Sequence, residues 1–363
     1  MSGRLILVEG DAKQLRAALI EDRRLTALEI DRFDRPTRVG SVLPAKIIRT
    51  VRGLGAFVRL PDGSEMLLDR EPAGRAAGEA LPIQILREPR GAKLGLGTAS
   101  ITLAGRALIH LPLESGVTIS RRAEMQPERR AALQSLLAGK TGGWILRRKA
   151  GALADADIEI EASALESEGR GLGAANSSLP APDAFRRLMA DHGLPNPTRI
   201  VVAGRGALRT VERWSAAFAP DLSSRVGPHG DPGSLFDAHD LDEQIALLSE
   251  SWVALPEGGS LAIERTEALT VIDVNAGAEP NALNTNLVAA KEIARQLVLR
   301  HIGGIVVIDF VSLPRPADRD RTVRALKESV ANDSARTHIL PMSAFGLVEM
   351  TRERRGPGLE LDP

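Results

Sequence analysis

The sequence predicts a multidomain α/β protein, and three observations carry that reading. At 363 residues the chain is long enough for two or three domains. Between Val39 and Thr98, short apolar runs ("SVLPAKIIRTV", "LGAFVRL", "EMLLD", "LPIQILRE", "KLGLGT") are separated by glycine or proline. That spacing suggests a small β barrel. From Leu255 onward, strand-like apolar runs alternate with helical stretches, the pattern of a parallel βαβ unit.

Taken in order, residues 1–36 read as a strand, "RLILVE", a helix, "AKQLRAALIED", and a second strand, "LTALEIDR". Beyond the barrel region the text is mixed and locally basic. "QPERRAALQSLLAGK" predicts a helix, and "GGWILRRKAG" a strand ending in Arg147, Arg148 and Lys149. "ESEGRGLGAANSSLPAP" predicts a flexible connector. "TRIVVAG" is a strand, followed by a helix with Arg205, Arg209 and Arg213 on one face. Such a stripe is either a solvated face or a nucleic-acid contact. "SLAIER" and "LTVIDV" are strands, and "NTNLVAAKEIARQLVLRHIGG" a helix. Its Asn284-Thr285-Asn286 start supplies N-cap candidates, and Gly303 and Gly304 end it. "GIVVIDF" is a strand, "ADRDRTVRALKESVAND" a helix and "THILPMS" a strand.

Composition narrows the function classes. Hydrophobic residues make up 43% and charged residues 26%, as expected of a soluble globular protein. No apolar run approaches the roughly 18 residues of a membrane helix. The start, "MSGRLILVEGDAK", does not read as a signal peptide, so a cytoplasmic location is expected. The absence of cysteine excludes disulfides and thiolate metal sites. Seven Phe, three Trp and no Tyr argue against a broad aromatic platform for stacking bases.

Two runs end alike: "LTVIDVNAG" carries Asp273 and "GIVVIDF" carries Asp309. In a strand–helix–strand unit both lie at the carboxyl ends of their strands, where functional groups of open α/β sheets gather. On neighbouring strands they would be separated by about 4.8 Å, close enough to repel. A hard divalent cation resolves that conflict. Mg²⁺ takes one or two carboxylates and fills its shell with water and phosphate oxygens. There it can polarise a phosphodiester and activate water. Asn275 is placed to orient the first carboxylate through an amide hydrogen bond. A lone aspartate after a strand serves equally as a turn or capping residue, and for each taken singly that alternative stays open. A phosphatase of the haloacid dehalogenase type would need a second aspartate where Asn275 stands. No P-loop, HxH or HExxH spacing occurs, which disfavours NTPases and zinc hydrolases.

With these residues assembled, the C-terminal third resembles the ribonuclease E/G family. The matching text is "LPEGGSLAIERTEALTVIDVNAGA", "ALNTNLVAAKEIARQLVLRHIGGIVVIDF" and "SAFGLVEMTRERRGPGLEL". Upstream, "LFDAHDLDEQI", "REPRGAKLGLGTASITLAG" and "LRAALIEDRRLTALEID" extend it over most of the chain. The resemblance implies an endoribonuclease that cuts single-stranded RNA with Mg²⁺, or Mn²⁺ in its place, in RNA processing, including that of ribosomal RNA, or in decay. It implies a split RNase H-like element at 1–36 and 191–255 and an OB-type RNA-binding barrel at 37–105. A 5′ sensor at 106–190 and a DNase I-like catalytic subdomain at 256–363 complete it. By resemblance, Asp273 and Asp309 match the magnesium ligands and Asn275 the amide that holds the first. Phe57 and Lys93 match RNA-contacting residues of the barrel. Arg147 and Arg336 match sensor arginines that grip the 5′ phosphate.

This sequence departs from the family at several points. Arg148 replaces the sensor threonine, adding charge, and Ser312 stands where an acid is usual. Pro44 takes a basic position in the first barrel strand, and the loop after "DVN" is short. The cysteines of the family's zinc link are missing, so the expectation is a short form without structural zinc or a scaffold region. Copies would then pair, if at all, as a weak homodimer. The leading function is a catalytic endoribonuclease. The alternatives are a non-catalytic RNA-binding homologue or regulator, and another phosphodiester hydrolase using the same acids.

Overall fold

The computed structural model describes residues 3–70, 74–89, 91, 93–120, 123–192, 199–256, 258–278, 281–356 and 359. The chain divides into two compact units, Met1–Asp22 with Glu29–Leu235, and Arg23–Leu28 with Phe236–Pro363. Among the described residues, no helix is long and apolar enough to cross a membrane.

The chain opens with β1 (Arg4–Gly10), β2 (Gln14–Glu21) and β3 (Arg24–Arg32), the last of which is assigned to the second unit as far as Leu28. β2 is a strand where the sequence predicts a helix. The Asp11 carboxylate accepts from the Lys13 and Gln14 amides at 2.6 and 2.9 Å, which turns the chain back after β1. Asp22 and Arg23 both take positive φ, 50° and 64°, and reverse it again. Two residues of positive φ make the tight hairpin turn that suits twisted strands. Between these reversals Leu15–Ile20 pair on β1, with Leu7 opposite Ala18 and Leu5 opposite Ile20. Pairing outweighs the modest helix propensity of Ala, Leu and Gln.

The barrel forms as predicted. β4 (Val42–Val51), β5 (Gly55–Arg59), β6 (Glu65–Leu68), β7 (Ala80–Arg87) and β8 (Gly95–Thr98) close in the order β4-β5-β6-β8-β7. Ile47, Ala56, Val58, Met66, Leu68 and Ile83 fill it. Next come β9 (Leu103–Ala104), β10 (Leu108–Leu111), β11 (Gly116–Ile119), α1 (Pro127–Leu137) and β12 (Gly143–Leu146). These strands form a second sheet, ordered β11-β12-β10-β9. α2 (Asp155–Gly169) occupies residues that include the start of the predicted connector. Its buried Ile158, Ala162 and Leu165 recur at helical spacing, and Asp155 and Asp157 suit the positive end of its dipole. The connector proper therefore begins at Arg170.

After α3 (Ala184–His192), β13 (Arg199–Ala203), α4 (Arg205–Phe218) and β14 (Val226–Pro228) complete the first sheet. Its order is β14-β13-β1-β2-β3, with β13 parallel to β1. Strands from either side of the barrel thus share one sheet.

The second unit holds α5 (Leu241–Ala246) and a six-stranded mixed sheet. The strands are β15 (Trp252–Ala254), β16 (Ser260–Arg265), β17 (Leu269–Asn275), β18 (Gly304–Asp309), β19 (Thr337–Ile339) and β20 (Leu347–Arg352). They lie in the order β15-β16-β17-β18-β20-β19, and β17 and β18 are parallel neighbours joined through α6 (Ala282–Leu299). α7 (Pro316–Ser329) follows β18. Ile272, Ile308, Ile293, Leu297, Val323 and Leu326 belong to one core between the sheet and the helices.

α6 begins earlier than the sequence suggests. Asn281 is its N-cap, accepting from the Asn284 amide at 3.2 Å. Thr285 and Asn286 are buried inside the helix instead. The Asn286 side chain donates to the Val311 carbonyl at 2.8 Å and accepts from the Val311 amide at 3.0 Å. It therefore clamps the segment that leaves β18.

Candidate active site

β17 and β18 alternate between two environments. Thr270, Ile272 and Val274 are buried, as are Val306 and Ile308. Val271 and Asp273 face solvent, and so do Ile305 and Asp309. The parallel register sets Asp273 directly opposite Asp309. Opposed residues on adjacent strands point to the same face, and their strands are about 4.8 Å apart. The Asn275 amide donates to Asp273 Oδ2 at 2.8 Å. Gly259 supports this edge: at φ +86°, a Cβ there would lie 2.3 Å from the Asn275 carbonyl oxygen. Only glycine lets the approach to β16 pack against the end of β17.

The same face is acidic beyond the pair. One row runs Ala262, Asp273, Asp309, Leu347; the row two residues away runs Glu264, Val271, Val307, Glu349. Glu264 and Glu349 are exposed. Neither row contains a lysine or arginine. Ser312 is also exposed and adds no carboxylate where the resemblance expects one. Among the described residues, no group of three or more His, Cys, Asp or Glu side chains could hold a metal ion. A cation shared by Asp273 and Asp309 would fill the rest of its shell with water or substrate oxygens, as Mg²⁺ commonly does.

The remaining predicted residues fall in both units. Phe57 on β5 is half-buried between Ala56 and Val58, which face the barrel interior; it points outward. The Arg49 guanidinium lies 4.1 Å from its ring centre. Lys93 is exposed just before β8. Arg147 directly follows β12 and is 14% exposed. Its Nη1 donates to the carbonyls of Gly105 and Ala190, and its Nη2 lies 3.9 Å from Asp191. Arg148 is exposed at the start of the next turn. Arg336 belongs to the second unit; it is exposed, and its backbone is tied to Glu353. The predicted stripe on α4, Arg205, Arg209 and Arg213, is solvent-exposed.

Two residues escaped the sequence reading. Asn286 lies inside a helix, and nothing in its spacing signals that it binds the strand exit. Lys149 belongs to a charge run, and only the fold shows that it is half-buried, with its ammonium 3.5 Å from the Asp191 carbonyl. Burial, then the neighbouring Arg147, pull its pKa from 10.5 down to about 7, against the carboxylates of Asp191 and Glu161. Close by, the fully buried Arg106 forks onto Asp221 at 2.8 Å through both Nη atoms. Glu161 accepts from the Ala107 and Leu108 amides at 2.8 and 2.9 Å, and burial still pushes its carboxyl up.

These elements define a multidomain α/β protein with one closed barrel and one open sheet that presents paired acids to solvent. The chain belongs to the ribonuclease E/G family, whose model matches residues 102–355. It is similar to ribonuclease G of Haemophilus influenzae, with 28% identity across 98% of this chain and 80% of that protein. Ribonuclease G of Escherichia coli strain K12 is also 28% identical, over 98% of this chain and 81% of its own length. Ribonuclease E of the same strain is 32% identical over 98% of this chain, which spans 37% of that longer protein.

Lys149 generates a pH prediction. Between its folded value of about 7 and the ordinary 10.5, the unfolded chain holds a proton that the folded chain lacks. Stability therefore rises with pH across that window. Lys149→Met removes this contribution. Thermal melts at pH 7, 8, 9 and 10 should show a flatter rise for the variant, with its largest advantage over wild type at pH 7. An unchanged slope would place the ammonium in water.

Proposed function

We propose that the chain is an endoribonuclease that hydrolyses single-stranded RNA where Asp273 meets Asp309, with Mg²⁺ as its cation. The observation that carries this is the register: two carboxylates opposed across parallel strands, on a solvent face where a bare acid pair gains nothing. Family membership and the ribonuclease names of the relatives support the reaction class.

Asp273 and Asp309 would hold the cation, and hard carboxylate oxygens suit it. When bound, the cation supplies charge neutralisation at a phosphate oxygen and a lowered pKa for water. The rest falls to the chain's own groups. Asn275 fixes one Asp273 oxygen by donating to it. Asn286 fixes the backbone two residues past Asp309. Ile272 and Ile308, packed beneath, hold both carboxylates in the row that faces solvent. The barrel would supply sequence-tolerant affinity, Phe57 by stacking and Lys93 by phosphate contact.

Cleavage of labelled single-stranded RNA, with Mg²⁺ or with EDTA, tests the site. Asp273→Asn and Asp309→Asn should each slow cleavage about a thousandfold, corresponding to the several kcal/mol that a Lewis acid supplies. Asn275→Ala should fall between them and wild type. RNA affinity should hardly change, because cationic side chains dominate phosphate binding. Full activity in Asp309→Asn would sink the mechanism. DNA and a simple phosphate ester, run alongside, separate a ribonuclease from a general phosphodiesterase.

Binding measurements across salt test the barrel. Lys93→Ala should weaken affinity for all sequences and reduce the salt slope by about 0.7–1. Phe57→Ala should cost about 1–3 kcal/mol of binding and leave the melting temperature alone. A lower melting temperature with intact affinity would assign Phe57 to packing.

A further inference from the structure

Trp252 is 63% exposed, the indole turned to water on edge strand β15. The other two tryptophans, Trp144 and Trp214, are 1% and 8% exposed. Large aromatic rings normally contribute their area to a core or an interface, so an open indole on a regular strand calls for a partner. Its direction is fixed by the pleat. Val253 packs against the core under the sheet, so Trp252 stands on the opposite face. Register extends the catalytic row to it: Trp252 lies opposite Ala262, Ala262 opposite Asp273, and Asp273 opposite Asp309. At about 4.8 Å per strand, Trp252 is about 10 Å from Asp273 along the row. The residue between them is alanine, so no tall side chain separates indole from carboxylate.

We propose that Trp252 is a base-stacking, positioning residue that lays single-stranded RNA along this row, with a neighbouring phosphate at Asp273 and Asp309. The inference rests on the ribonuclease reading of the acid pair. The charge of the face chooses stacking over ion pairing. Four carboxylates (Asp273, Asp309, Glu264 and Glu349) share the two rows, and neither row holds a lysine or arginine. A phosphate finds no protein cation there to attract it. A base, neutral and with a π face, is attracted by an indole whatever its identity. Trp252 thus supplies attraction that the acids cannot, and places the backbone rather than reading sequence.

Because the other tryptophans are buried, emission from Trp252 can be followed directly. The experiment uses the full chain as Asp309→Asn, so that the RNA persists, with Mg²⁺ and a single-stranded oligoadenylate. Acrylamide is the quencher, because it is neutral and the carboxylates do not repel it. The free protein should show one acrylamide-accessible tryptophan, and RNA should shift its emission and shield it. Trp252→Phe should abolish the accessible signal while keeping most of the affinity. Trp252→Ala should weaken binding about tenfold, within the range measured for one stacked base, with no change in melting temperature. In the otherwise wild-type chain, the same substitution should raise KM more than it lowers kcat. RNA that leaves the accessible emission unchanged would overturn the proposal. So would shielding in free protein that grows with protein concentration, which would assign the ring to a second copy. Cleavage by wild-type protein is read in parallel. Its absence sinks the acid-pair reading, whereas intact cleavage with a silent Trp252 sinks only this inference.

Discussion

The parallel pairing of β17 with β18 is the constraint from which the site follows. α6 carries the chain from one strand to the other, and the register sets Asp273 against Asp309. A slip of one residue by either strand would bring its carboxylate under the helices and turn its isoleucine, Ile272 or Ile308, out to water. Burying an unpartnered carboxylate is prohibitively costly, while burying an isoleucine stabilises the fold by about 1.5–3 kcal/mol. The core therefore sets the site's geometry. The Asn281 cap and the Asn286 clamp fix where the crossover begins and where it releases the second strand.

Elsewhere several buried arginines are paired with carboxylates. Arg106 forks onto Asp221, Arg187 reaches both Glu29 and Asp31, and Arg352 grips Asp333. Leaving a buried charge unpartnered costs several kcal/mol, which explains the pairing. The exposed sheet face is arranged differently. Four carboxylates lie in two adjacent rows without a lysine or arginine among them. Water makes the arrangement tolerable, and a divalent cation would make it favourable. That contrast supports the proposed reading of the face as a place for ligands rather than a source of stability.

Much of this was legible in the sequence where the signal was local. An apolar run ending in aspartate, repeated on either side of a helical stretch, gave the βαβ unit and both acids. Glycine- and proline-punctuated runs gave the barrel. What was not legible depended on partners distant in the chain. β2 has helical composition and becomes a strand because β1 pairs with it between two tight turns. α2 runs into residues whose glycine and serine suggest a linker, because Ile158, Ala162 and Leu165 find a core. β20 was not predicted as a strand, yet it sits beside β18. Trp252 joined the row of Asp273 only through two successive registers. The committed guanidinium of Arg147 and the half-buried ammonium of Lys149 likewise appeared only once the fold brought their neighbours to them.

The central claim is that Asp273 and Asp309 together make one divalent-cation site. Mn²⁺ can report on it in place of Mg²⁺, so electron paramagnetic resonance titration of the free protein is the most direct measurement. One Mn²⁺ site is expected, displaced by Mg²⁺, weakened in each single asparagine variant and absent from Asp273→Asn/Asp309→Asn. A Mn²⁺ site of unchanged affinity in the double variant would contradict it.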